Sequence, residues 1–176
     1  MAKQEYTSQK FTLKNVRLVY APGLFEKSAM NEGDEEKYST KFMLDPKKNR
    51  RNLEDLEDLI DDLKEEGFGT VDVKGLRSCC LIDGDELENE QYHDHMVVSC
   101  SSKRRPVVVD ENNEPVDAED DLIYSGCYVD ATVNVWILNH KKFGKRVCAM
   151  LRAVRFVKDG DSLSGSQIDA ETEFED

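Results

Sequence analysis

Between Cys127 and Ile137 every second residue is apolar: Cys127, Val129, Ala131, Val133, Val135 and Ile137. The positions between them hold Tyr128, Asp130, Thr132, Asn134 and Trp136. A period of two fits a β-strand with one buried face, whereas a helix would scatter the same residues around its circumference. The turn Asn139-His140-Lys141-Lys142-Phe143-Gly144 follows, and Lys145 to Lys158 predicts a second long strand. Its apolar residues Val147, Ala149 and Leu151 are in phase, and the phase breaks near Arg152-Ala153. One apolar face of this length must be buried, so these two strands belong to a sheet wrapped around a core.

The rest of the chain supplies the missing strands. Lys10 to Tyr20 alternates with a phase slip, which a bulge near Lys14-Asn15 would absorb. Tyr38 to Leu44 alternates cleanly, with Tyr38, Thr40, Phe42 and Leu44 on one face and Ser39, Lys41 and Met43 on the other. Val71 to Ile82, Met96 to Ser101 and Val107 to Val109 are strand-like; Asp83 to Asp94 and Asp110 to Asp121 are acidic loops. Asp45 to Glu66 predicts the main helix, with Asp45 as N-cap, Pro46 in the first position, Gly67 as the stop, and an apolar stripe of Leu53, Leu56, Leu59, Ile60 and Leu63. The helix begins basic and ends acidic, the reverse of what its dipole favours. About six strands with one helix indicate a mainly β fold, a small antiparallel barrel.

Charge bears on function through its distribution. The net charge of −13 over 176 residues argues against nucleic-acid binding when taken alone. Seven acids and no cation fall between Asp159 and Asp176, and without them the balance is −6. That segment is rich in Ser, Gly and acid, so a domain over 1–158 and a disordered acidic tail over 159–176 are expected. Five cysteines with no C-x-x-C spacing suggest free thiols. The first ten residues lack the apolar core of a signal peptide, and no apolar run is long enough for a membrane span. His93-Asp94-His95 and Cys79-Cys80 lack a fourth partner at recognisable spacing, so neither a metal nor another cofactor is expected. The dispersed acids carry no nuclease signature, and no nucleophile motif occurs, so catalysis is not expected.

Alternation puts Trp136 and Tyr128 on the polar face of their strand. Lys142, Lys145, Arg146, Arg152 and Arg155 follow in the turn and the next strand. Aromatics among cations on a sheet face suit single-strand binding without sequence preference: any base can stack, and any phosphate can be neutralised. Tyr38 and Lys41 on the earlier strand, and the cluster Lys103-Arg104-Arg105, extend the candidate set.

The stretches Lys37 to Phe42, Pro106 to Asp110 (PVVVD), Ile123 to Ala131 (IYSGCYVDA) and Arg155 to Gly165 (RFVKDGDSLSG) resemble a bacteriophage family of single-stranded DNA-binding proteins. The resemblance spans most of Lys10 to Gly165. It implies an OB-fold Greek-key barrel, no catalytic activity, and single-stranded DNA as ligand in replication, recombination or repair in the cytoplasm of an infected bacterium. It also implies an acidic tail that engages replication or recombination proteins and competes with DNA. Here that tail would act through Asp169, Glu171, Glu173, Phe174, Glu175 and Asp176. Such tails commonly place an aromatic at or near the last residue; here Glu175 and Asp176 follow Phe174. Oligomeric state is not legible, and a homo-oligomer stays open. The rival reading from composition is an acidic DNA mimic that binds a host protein. The basic cluster and basic final strands speak against it.

Overall fold

The computed structural model describes residues 4–5, 9–29, 32–33, 35–142 and 144–163. Among the described residues nine strands form a single sheet that closes on itself, with one main helix packed against it. The closing ring has five members: β2 (Gln9–Leu18), β3 (Tyr38–Leu44), β6 (Met96–Ser102), β9 (Gly144–Lys158) and β8 (Tyr128–His140). β2 pairs with β3, β3 with β6, β6 with β9, β9 with β8, and β8 again with β2. That ring order is the closed barrel expected from the sequence.

The barrel is not wholly antiparallel. β9 meets β6 in parallel at a single pair, Ser101 with Met150. Two short strands, β4 (Leu76–Cys79) and β7 (Val107–Val109), also join β9 in parallel on either side of that point. Alternation predicts strands and faces, but the direction of a partner depends on connections that residue pattern does not record. The remaining two strands are marginal to the ring: β1 (Gln4–Glu5) on the edge of β8 and β5 (Leu81–Asp83) on β6.

The alternation of β8 becomes the barrel wall. Val129, Ala131, Val133, Val135 and Ile137 are buried, as are Val147, Ala149 and Leu151 of β9 and Phe42 of β3. The bulge in β2 falls between Leu13 and Val16, with Asn15 at a φ of 52°. Short polar side chains tolerate that left-handed geometry best. The phase break in β9 is also a bulge: Thr132 pairs with Ala153 and Val133 with Leu151, leaving Arg152 as the extra residue.

The helix differs from expectation at both ends. α1 spans Arg50–Phe68, not 45–66. Asp45 does act as a cap, but for the turn before the helix: its Oδ1 accepts from the amides of Lys47 and Lys48. Asn49 takes the N-cap position, and its side chain is directed to the β2 bulge, donating to the carbonyls of Lys14 and Asn15. Asn52 adds two bonds to the same strand, through the Lys14 amide and the Thr12 carbonyl. At the other end Gly67 stays helical and Gly69, at a φ of 78°, is the stop. Phe68 packs against the core, which rewards the extra turn. Leu53, Leu56, Ile60 and Leu63 are buried over the barrel as the stripe required.

Candidate nucleic-acid interface

Pairing across the ring aligns five outward residues in one row: Ser39 of β3, Ser101 of β6, Met150 of β9, Asn134 of β8 and Lys10 of β2. Beside that row, Lys41 pairs with Ser99 and Trp136 with Cys148. The middle of this surface is therefore floored by three serines and the exposed thioether of Met150, and one side carries the half-buried indole of Trp136. A floor of small side chains leaves the sheet backbone shallow, so a flat ring can lie on it.

Cations border this floor. Arg146 sits on the same face of β9 as Cys148, across from Leu138. The Cys148 thiol is raised chiefly by burial, while Arg146 and Lys37 are near enough for their charge to oppose that shift. Lys141 and Lys142 are exposed at the tip of the β8–β9 turn. Lys145 lies with its ammonium 5.8 Å from the ring of Phe68. Lys41 reaches across to Tyr92, with 5.6 Å between ammonium and ring centroid. In OB-type barrels, ligands lie over the second and third strands and the loops between strands one and two and between four and five. In this ring those places are β3, β6, the 19–37 loop and the β8–β9 turn.

The other sequence-selected residues are placed elsewhere. Tyr128 shares the face of Trp136 but lies eight positions away, about 26 Å at roughly 3.3 Å per residue. Its ring rests against Gly160, where an added Cβ would lie 2.8 Å from Cε2, and Lys158 stands 4.9 Å from its centroid. Arg155, at that same end, donates to Asp130 at 2.9 Å. Lys103 pairs with Glu35 at 3.4 Å and Arg105 with Asp117 at 3.3 Å. Arg104 and Arg152 are exposed. Tyr38 is half-buried at the start of β3 with the ammonium of Lys27 5.7 Å from its ring. Glu35 and Asp117 of the loops thus lie against particular cations, which their sequence positions did not disclose. Exposed pairs of this kind are each worth at most about 1 kcal/mol and can open for a ligand.

Sequence reasoning missed Lys37, Ser39, Ser99, Ser101, Met150 and Lys158. Ser39 was on the polar face of its strand from the start. Ser101 and Met150 become neighbours only when β6 and β9 are set side by side, since no local pattern marks that parallel contact.

Two of the stretches that carried the family resemblance, the one from Ile123 and the one from Arg155, meet in space away from this floor, whereas Lys37 to Phe42 contributes to the floor itself. The Tyr124 hydroxyl bonds to Asp159 and to both the amide and carbonyl of Gly160. The Leu163 amide donates to the Ser125 carbonyl, and Arg17 donates to the carbonyls of Gly126 and Asp161. Residues 159–163, assigned from composition to the tail, are held against the body. The tail residues Asp169, Glu171, Glu173, Phe174, Glu175 and Asp176 lie outside the described residues.

The histidine and cysteine pairs are used by the loops. His93 Nε2 bonds to the Leu87 carbonyl and His95 Nδ1 to the His93 carbonyl. Among the described residues no three acids, histidines or cysteines are grouped to hold a metal. All five cysteines are free. The Cys80 thiol bonds to the Cys79 sulfur and, with the Leu81 amide and Lys64, outweighs burial and brings Cys79 down to about 6. Burial pushes Cys100 and Cys127 up. The lowered Cys79 and raised Cys100 thiols set an order of reactivity: iodoacetamide followed by peptide mapping is expected to label Cys79 first and Cys100 last. Equal labelling of Cys79 and Cys100 would contradict this assignment.

Comparisons with known proteins agree on the kind of molecule. A sequence profile for the family described as "Enterobacter phage Enc34, ssDNA-binding protein" matches residues 9–176. Protein p50 of Acyrthosiphon pisum secondary endosymbiont phage 1 is 35% identical over 175 residues, covering 95% of this chain and 93% of that protein. The fold is similar to that of the single-stranded DNA-binding protein of bacteriophage Enc34 in complex with ssDNA. The TM-score is 0.76 at 23% identity, over 87% of this chain and 88% of that one. It is also similar to gp2.5, a single-stranded DNA-binding protein encoded by bacteriophage T7. Here the TM-score is 0.52 at 14% identity, over 96% and 99% of the two chains.

Proposed function

The chain belongs to the phage Enc34 ssDNA-binding protein family, and from that premise we propose that it coats single-stranded DNA, without sequence preference and without catalysis, across the β3–β6–β9–β8 face. The observation that carries this reading is the Trp136 indole at the side of a serine-floored surface bordered by Lys37, Lys41 and Arg146. Bases stack on Trp136 and pass over Met150, whose polarizable sulfur suits an aromatic neighbour. Phosphates are neutralised by Lys37, Lys41, Lys141, Lys142, Lys145 and Arg146. Tyr38, Lys103, Arg104, Arg105 and Arg152 take up the strand beyond this centre. Tyr128 of β8 and Arg155 of β9 lie at the far end of these two strands, and a longer strand reaches them once the Arg155–Asp130 pair opens. Sequence tolerance follows from the chemistry, since serine, methionine and an indole face do not distinguish one base edge from another.

The acidic residues 164–176 compete with DNA for this cationic face and recruit replication or recombination proteins in the host cytoplasm. The test is fluorescence anisotropy of a labelled oligo-dT at several salt concentrations. With four to six phosphates neutralised, the slope of log K against log salt is expected to be roughly −3 to −4. Removing 164–176 is expected to raise affinity most at low salt, where repulsion by the tail is least screened. No saturable binding at low salt, with or without the tail, overturns the reading and favours a protein-binding DNA mimic.

A further inference from the structure

The outward side of α1 is divided by charge. Lys47, Lys48, Arg50 and Arg51 at its start are exposed, and Lys14 of the β2 bulge shares a shallow depression with Lys48 and Arg51. At its far end Asp58, Asp62, Glu65 and Glu66 are exposed. Arg50 pairs with Glu54 one turn on, but the two poles are too far apart to neutralise each other: nineteen helical residues span about 28 Å. The arrangement works against the helix itself, because cations at the N-terminus and acids at the C-terminus both oppose its dipole. Backbone amides do not explain the cations either, since the amides of Lys47, Lys48 and Asn49 are already bonded to Asp45. A local rule broken at both ends of one element points to a use outside the fold.

We propose that α1 is a head-to-tail contact between copies of this protein: the basic pole of one helix docks on the acidic pole of the next. The two surfaces differ, so the contact is heterologous and repeats along a line instead of closing as a two-fold dimer. The proposal rests on the single-strand-coating reading, for which such a line is a row of neighbours on one strand, so binding to long strands is cooperative. The contact is made of exposed charges and weakens with salt.

The test uses full-length protein on a single-stranded circle of several thousand nucleotides, imaged for clustering, and on a labelled oligo-dT one binding site long. Variant one is Lys47→Glu, Lys48→Glu, Arg51→Glu; variant two is Asp62→Lys, Glu65→Lys, Glu66→Lys. Wild type is expected to form continuous clusters on circles. Each variant alone is expected to scatter, with neighbour-to-neighbour cooperativity down about tenfold or more, because like charges now face each other. An equimolar mixture of the two restores the contact in alternation, and so does one chain carrying all six changes. Scattered binding by wild type overturns the proposal, as does clustering that neither variant disturbs or a mixture that fails to recover. If only variant one changes, and loses short-oligo affinity equally, the basic pole serves DNA phosphate; if that variant gains short-oligo affinity, the pole serves the acidic tail. Both outcomes overturn the contact between copies. Failure of wild type to bind the short oligo overturns the coating reading itself, and the two failures are thereby told apart.

Discussion

Trp136→Ala is expected to weaken oligo-dT binding by about 5- to 150-fold, the loss of one base stack worth about 1–3 kcal/mol. The indole stands on the outer face of β8 opposite Cys148, while its neighbours Val135 and Ile137 hold the core. Truncation should therefore leave the fold in place, and the thermal midpoint should move by only a few degrees. Trp136→Phe keeps a stacking face and is expected to retain most of the affinity. Anisotropy titrations of the three proteins, paired with thermal melts, make the comparison. Unchanged affinity in the alanine variant, with the melt also unchanged, would remove Trp136 from the interface and shift attention to the Tyr128 end of the strand.

The second large effect concerns stability. Gly126 has a φ of 113°, and a Cβ there would lie 2.0 Å from the Asp161 carbonyl oxygen and 2.9 Å from the Leu163 amide nitrogen. Gly126→Ala must distort the backbone or release residues 159–163. Holding a non-glycine residue in such a conformation costs about 1–3 kcal/mol. In a chain of this size that corresponds to a fall in midpoint of about 2–12 °C. Tyr124→Phe, which removes the hydroxyl that bonds to Asp159 and Gly160, is a milder companion. Calorimetry and limited proteolysis within 159–163 read both. A Gly126→Ala protein with wild-type midpoint and cleavage pattern would show that the clasp contributes nothing.

Elements with a strong local period were legible in the sequence. The alternation of Val129 to Ile137, the slip at Lys14-Asn15 and the break at Arg152 each became the expected strand or bulge. The helix stripe was legible, but its start was displaced because Asp45 and Asn49 are both competent caps and tertiary bonds to the β2 bulge decide between them. At the candidate interface, Trp136, Lys41 and Arg146 could be selected from strand parity and charge. Ser101 and Met150 could not, because they become neighbours only through the one parallel pair that joins β6 to β9. The partners of Lys103, Arg105 and Arg155 were equally hidden, since an acidic loop in sequence does not say which cation it lies beside.

The closing strand of this barrel is also the last one made. β2 finds its main partner in β8, pairing Gln9 with Val135, and β3 and β6 are sealed into the ring only when β9 arrives. Until the ribosome has released roughly the final quarter of the chain, the apolar faces of β2, β3 and β6 have no wall opposite them. Pairings this distant must be reached before they repay the entropy of closing the loop, which places folding in the slow, millisecond-to-second class of β-barrels. Nascent chains halted before Tyr128 would display unpaired edges and exposed Phe42, Val98 and Leu13, the species most prone to aggregate. Synthesis of this protein therefore carries a window of vulnerability that cannot close until β8 and β9 have both emerged.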